Sequence, residues 1–440
     1  NGSTWQSTAP AASGGAREFT ASGAISDGAI VTLNTNGTVQ ECVATDGASV
    51  VGTPVVFESA AILSYPDATC FDSNSNKIVT VYMDYGNNNY ATAAVGTVSA
   101  TDNSITFGTP VVFSTVGTSV GHFSAIFDSN ENKVVITYAP ATGYNGTAIV
   151  GTVSGTSISF GTPVVYAATS LSYGDYSACA FDSNSNKVVI CYRDAANSNY
   201  GTGIVGTVSG TSISFGTKAA FNTSAINEPS VSFDSSANKV VCAYQDDGGF
   251  DYGAAVVGTV SGTSISFGTV VFFESAKVLY IEAVYHAGSN KTAIFYEDDA
   301  NSDYGTAISG TISGTSISFL SPIVFESAAV QYISAAYDSS QDRIAVCYRD
   351  DGNSNYGTAV VFNQLVASDV NDNVGIAAAA GTDGNPLEIT TNGGINASQS
   401  GLTVGAGYWA TATGGLSASD TGFQKMGIAV SATELLIRGY

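Results

Sequence analysis

The chain has 440 residues, with 13 Lys+Arg against 36 Asp+Glu and a formal net charge of −23. A field of that sign repels phosphate backbones and argues against nucleic acid as a partner. No apolar run reaches about eighteen residues, so no membrane-spanning helix and no membrane insertion is expected.

Read from the start, residues 1–16, "NGSTWQSTAPAASGGA", are small and polar, and they read as a linker or tether. Residues 17–47 hold an N-terminal β element, two strand signals around the hairpin text "TNGT". Residues 48–59, "ASVVGTPVVFES", then form a single strand signal with no partner strands before it.

From Pro66 the text repeats. A Lys or Arg opens an apolar run at Lys77, Lys133, Lys187, Lys239, Lys291 and Arg343, at spacings of 56, 54, 52, 52 and 52. Periods near 50 indicate propellers or solenoids. Each unit holds four strand signals: a short small-residue strand, an unbroken apolar run such as "KVVICYRD", a third strand such as "YGTGIVGTVSG", and the alternating "TSISFGT". Small residues on the first strand suit a crowded central axis. The units run through completely five times and then stop after the third strand, near Gln364. The lone strand at 48–59 restores the count at six of each. The fold class expected is therefore all-β: a six-bladed β-propeller over residues 48–364, closed by its N-terminal strand, which leaves no long open edge. Both chain ends would leave the ring on one face. There residues 17–47 and 365–440 together reach the size of a small β domain.

Within the repeats, the most patterned polar text joins the second and third strands, as in "YRDAANSNY", "YQDDGGFDY", "YEDDANSDY" and "YRDDGNSNY". Tyrosine rings stack on sugars, and carboxylates accept hydrogen bonds from hydroxyls. The candidate ligand residues on this face are Asp194, Tyr200, Asp246, Asp247, Tyr252, Asp298, Asp299, Tyr304, Arg349, Asp350, Asp351 and Tyr356. The same residues also suit a plain structural role, because a turn needed in every blade recurs in every blade. The oxygen-rich "DDANSD" at 298–303 raises calcium, yet it lacks the spacing and closing Glu of an EF-hand loop, so no cofactor is expected.

No catalytic residue stands out. His122 and His286 do not cluster, and the cysteines have no metal-site spacing. Cys191 and Cys347 share a repeat position with Val81, Thr137, Ala243 and Phe295, which marks a core site. Cys179 and Cys191 flank one turn and admit a bridge, with free buried thiols the alternative. Trp5 and Trp409, the only tryptophans, lie outside the repeats. That excludes WD-type, kelch and sialidase-type units, which carry a Trp in each copy.

The C-terminal text from Gly401, "GLTVGAGYW…GGLSAS…QKMGIAVSATELLI", is similar to a module of tailed-bacteriophage virion proteins, chiefly fibres and other appendages. "FTASGAISDGAIVTLNTNGTV" from Phe19 resembles their N-terminal β element, and "YRDDGNSNYGTAVV" resembles propeller repeats of marine and environmental viral proteins. The resemblance implies a non-enzymatic protein of the virion surface, extracellular in setting: a fibre, receptor-binding or decoration protein. Its implied partners are a host-surface glycan or protein, other virion proteins and copies of itself, a trimer included. Two alternatives remain at this stage. One is a secreted carbohydrate-active enzyme of the glycoside hydrolase type, and the other is a bacterial surface adhesin or filament subunit.

Overall fold

The structure is a computed structural model. In the repeat region it describes residues 55–62, 69–99, 104–116, 123–170, 177–248, 250–339 and 342–362, and in the termini short segments between 16 and 41 and between 373 and 437. The described residues are all-β: antiparallel sheets, with helix limited to four 3-10 turns, none able to cross a membrane. They divide into two units, residues 50–362 and residues 1–49 with 363–440.

The third repeat shows how one sheet is built. Ser177–Asp182, Lys187–Asp194 and Tyr200–Ser209 pair in order, with Cys191 opposite Ala178 and Ile190 opposite Ile204. The turn between the first two strands comes from an aspartate: Asp182 Oδ1 accepts the N–H groups of Asn184 and Ser185 at 2.9 Å each. Asp72, Asp128 and Asp234 do the same in their repeats. The residue before each Lys or Arg, Asn186 at φ 54° for example, takes the left-handed conformation that Asn tolerates. Repeat five replaces the aspartate with His286, whose Nδ1 accepts the Ser289 N–H at 3.2 Å.

The outer edge is built differently from the simple meander expected. Ser212–Phe215 covers half of the third strand, Ile213 lying opposite Val208. The chain then rejoins the same edge at Ala219 and runs without interruption, as Ala219–Asp234, into the innermost position of the next sheet. Val271–His286 and Ile323–Asp338 repeat this passage. A bulge in each long strand makes the crossing possible. It falls between Asn227 and Ser230, between Leu279 and Glu282, and between Gln331 and Ser334.

Neighbouring sheets pack face to face, which is why the second strands are apolar along their whole length. Val188, Ile190 and Tyr192 enter one core, while Val189 and Cys191 enter the next. Cys179 belongs to the first core and Cys191 to the second, so the bridge considered between them is ruled out by the strand's two faces. Cys179 instead meets Ser124, with Sγ 3.2 Å from Oγ.

Each interface carries an aromatic group from the strand that crosses it. Phe221 lies 5.1 Å from Tyr244 and 5.2 Å from Phe267 of the next sheet. Phe273 meets Tyr296 and Phe319, and Phe113 meets Tyr138 and Phe160. Phe57 takes the equivalent place on the first sheet, 5.2 Å from Tyr82 and 5.3 Å from Phe107. The next residue supports it: Tyr82 Oη donates to Glu58 at 3.2 Å, as Tyr348 Oη donates to Glu326 at 2.8 Å.

The glycine that opens "GTPVVF"-type text is set by the same interface. A Cβ on Gly216 would stand 1.8 Å from the carbonyl oxygen of Thr263, in the hairpin of the following sheet. The equivalent position before sheet six is Leu320, and among the described residues sheet six has three strands and no such hairpin. Gly216→Ala is therefore expected to destabilise the unit by about 1–3 kcal/mol in thermal melts, whereas Leu320→Gly stays within about 1 kcal/mol.

One face of sheet six is open. Ala345, Cys347, Ala359 and Val361 are exposed there, while Ala293, Phe295 and Ala307 of sheet five are buried. Residues 48–54 of the expected closing strand lie outside the described residues, and residues 55–59, which are described, are not in a strand.

In the other unit, Ala16–Thr20 pairs with Pro386–Thr390, and Ile30–Leu33 pairs with both Val39–Glu41 and Asn373–Ala377. The two chain ends thus share one five-stranded sheet. A second sheet runs from Ile395–Asn396 through Leu435–Ile437 and Lys425–Ala429 to Gly407–Ala410 and Leu416–Ser417. The linker expected at 1–16 lies almost wholly outside the described residues.

Candidate functional site

The innermost strands of all six repeats line one cavity of about 750 Å³. The axis is therefore hollow, not filled as the small residues of these strands suggested. The bulges bring larger side chains to its wall. Glu228, Tyr280 and Tyr332 occupy the same bulge position in successive repeats, at φ 47°, 53° and 53°. A left-handed conformation at residues other than Gly or Asn is held only where surrounding contacts fix it, and it concentrates at functional sites.

Those contacts are specific. The Tyr280 N–H donates to the Glu228 carboxylate. The rings of Tyr280 and Tyr332 lie 5.1 Å apart at 59°, and the Arg349 guanidinium sits 5.4 Å from the Tyr332 centroid. Arg349 is fixed by a bidentate pair with Asp351, at 2.7 and 3.1 Å, and Gln331 Nε2 donates to the same carboxylate at 3.3 Å. Deeper in the cavity, Ser230 Oγ donates to Glu282 at 3.2 Å and accepts the Ala283 N–H of the next sheet at 2.9 Å. Ser124 accepts the Cys179 N–H at 3.1 Å in the same way.

Burial pushes Glu228 and Glu282 up to about 7, against hydrogen bonds that work in the opposite direction. Glu297 is pushed up to about 8 by burial first and by the carboxylate of Asp303 second. Burial also raises the Tyr280 hydroxyl, helped by Tyr332, Glu297 and Glu228.

These raised values have a consequence for stability. A carboxyl that holds its proton more tightly folded than unfolded contributes stability that is complete below its ordinary 4.5 and lost as pH rises through its folded value of about 7. The protein should therefore become less stable between pH 5 and 8. Glu282→Gln, which can still accept from Ser230, should flatten that slope and gain on the order of 1–2 kcal/mol at pH 8, after allowance for solvent in the cavity. Urea unfolding across that range measures it.

The loop residues singled out by their repetition fall into distinct places. Asp194, Asp298 and Asp350 are buried under their loops. Their backbone carbonyls begin the turn, the Asp194 carbonyl accepting the Asn199 N–H at 3.0 Å and the Asp298 carbonyl accepting the Asp303 N–H at 2.9 Å. Asp194 Oδ2 also holds Lys218 at 2.6 Å. Asp246 Oδ1 accepts the Gly248 N–H at 3.1 Å. Asp247 and Asp299 are exposed, the latter 4.0 Å from Lys277. Tyr252 stacks on Phe250 at 5.3 Å, Tyr200 and Tyr304 are half-buried, and Tyr356 is 62% exposed on the open edge. Of the twelve, Arg349 and Asp351 are the ones joined to the tyrosine pair at the axial mouth. Among the described residues, no group of three or more His, Cys, Asp or Glu side chains is placed to hold a metal ion.

Sequence reasoning missed Glu228, Tyr280, Glu282 and Tyr332. A signal was present in the variation between repeats. Between the recurring Tyr and the residue that ends the second strand stand Met83, Ala139, Arg193, Gln245, Glu297 and Arg349, a position that changes in almost every copy.

No protein-family model matches the chain, and no curated protein matches it. Among solved structures it is similar to AofleA from Arthrobotrys oligospora, at 10% identity and TM-score 0.45, over 78% of this chain and 99% of that one. It is also similar to BP39L lectin from Burkholderia pseudomallei, at 13% identity and TM-score 0.48, over 78% and 96%. A protein from Lactobacillus plantarum gives 12% identity and TM-score 0.45, over 78% and 97%.

Proposed function

We propose that residues 48–364 are a six-bladed β-propeller, closed by residues 48–59 along the free edge of Tyr356–Phe362, and that the protein is a non-enzymatic attachment protein taking a saccharide at its axial mouth. The observation that carries the binding reading is the Tyr280–Tyr332 pair beside the fixed Arg349, over a cavity walled by glutamates. Rings at an angle offer an apolar surface to one face of a sugar, and the surrounding carboxyl and guanidinium groups match its hydroxyls. Closure is supported by Phe57 and Glu58, which meet sheet one as Phe325 and Glu326 meet sheet six. It is also supported by the apolar composition of the open face of sheet six.

The setting proposed for this activity is the outside of a virion-like particle, a reading supported only by the resemblance of the terminal text to phage appendage modules. There the terminal unit would serve assembly, and the propeller would serve host attachment. Glycoside hydrolysis is the second reading, favoured by the raised glutamates. It needs one carboxyl ionised beside one protonated, and burial moves Glu228, Glu282 and Glu297 all in the same direction. Binding without turnover fits better.

A glycan array probed with the complete chain tests the proposal. Retention of a restricted set of saccharides, with no release of reducing ends on incubation, is expected. No retention on any glycan sinks the attachment reading, and released reducing ends move the protein to the hydrolases.

A further inference from the structure

We infer that Cys191 and Cys242 form a disulfide that ties the third sheet to the fourth. The two residues stand on the second strands of neighbouring repeats, Lys187–Asp194 and Lys239–Asp246. Cys191 is the fifth residue of its strand, and Cys242 is the fourth of its own. Side chains alternate between the two faces of a strand, so that offset of one place turns the two thiols toward each other. Both belong to the core between these sheets, and both are 0% exposed. At Ala243, which matches Cys191 by repeat, a thiol would face the fifth sheet instead. Burial first, and then the neighbouring Cys191 thiol, push the Cys242 thiol well up.

The other interfaces fill the matching pair of positions with larger groups. Val81 shares its core with Ile136, Ala243 with Ile294, and Phe295 with Val346. Each of those pairs includes a branched or aromatic side chain, and the pair of thiols does not. A sulfur–sulfur bond spans such a space between facing sheets, as the bridge inside an immunoglobulin sandwich does. The remaining described cysteines have other surroundings. Cys179 meets Ser124, Cys70 lies in a different core from Cys179, and Cys347 lies on the open face of sheet six. The bond forms by exchange with a small external disulfide such as glutathione disulfide. The two protein thiols give up two protons and two electrons, and the external disulfide leaves as two thiols. Both sulfurs are sealed from solvent in the folded chain, so the exchange takes place before the interface closes, in oxidising surroundings.

The test is to refold the complete chain in a glutathione redox buffer, block its remaining thiols in denaturant, and digest it with trypsin without reductant. Cleavage after Lys187, Arg193, Lys239 and Lys277 leaves a single cysteine in each of the fragments 188–193 and 240–277. These two fragments are expected to appear joined and to separate on reduction. Reductant should also lower the melting midpoint of the complete chain by at least about 3 °C. It should leave unmoved the midpoint of Cys191→Val, which takes the side chain that Val81 supplies at the same position in sheet one. Recovery of both fragments singly blocked, or of either joined to another cysteine, overturns the inference. So does a joined pair in a chain whose midpoint reductant does not move, because such a bond arises only after unfolding.

Discussion

Replacing Phe273 by alanine is expected to destabilise the repeat unit by about 3–5 kcal/mol. The ring is 8% exposed and touches three elements: Tyr296 at 5.2 Å, Phe319 at 5.8 Å, and the backbone of Gly253, where a Cβ would stand 2.4 Å from it. Sheets packed on both sides cannot collapse into the space left behind, so the cavity persists and the loss stays at the upper end of its class. Phe221→Ala should behave alike. Phe57→Ala should come close to them if the proposed closure holds, because its contacts with Tyr82 and Phe107 repeat theirs. Urea midpoints with unchanged slopes measure all three. A Phe57→Ala loss below about 1 kcal/mol would place that residue outside the interface series.

The second large effect concerns the glycine opposite each of these rings. A Cβ on Gly305 would lie 2.6 Å from the Phe325 ring, and that ring is wedged between Phe295 and Tyr348 and has no room to swing. Gly305→Leu is therefore expected to cost about 3 kcal/mol through overpacking. At Gly357, the same position in sheet six, nothing lies within 4 Å of the added atom. The proposed closure by the N-terminal strand would seat Phe57 over Gly357, and Gly357→Leu would then cost about as much as Gly305→Leu. If the edge is free, Gly357→Leu leaves the melting transition where it was. The pair of variants decides the question without disturbing the terminal unit.

The two kinds of feature in this chain were legible to different degrees, for a physical reason. Turns are local: an aspartate such as Asp182 and the Asn186 that follows it specify a hairpin wherever they occur, so their recurrence located the sheets. Burial on both faces was equally plain in "KVVICYRD". The axial mouth was not legible in the same way. It depends on where each repeat differs from the others, at Glu228, Tyr280 and Tyr332, and comparing repeats for what they share removes those positions from view. The bulges added a second obstacle. Glu and Tyr give no sign in sequence of a left-handed backbone, so the residues that reach the cavity wall looked like ordinary members of a strand.

That contrast sets the decisive measurement. A saccharide retained by the complete chain can be titrated against two variants, one at the axial mouth, Tyr332→Ala, and one on the exposed loops, Asp247→Asn with Asp299→Asn. The account predicts that Tyr332→Ala weakens binding at least ten-fold while the loop variant binds as the unmodified protein does. Unchanged binding by Tyr332→Ala, with binding lost in the loop variant, would contradict it and put the ligand on the repeated loops.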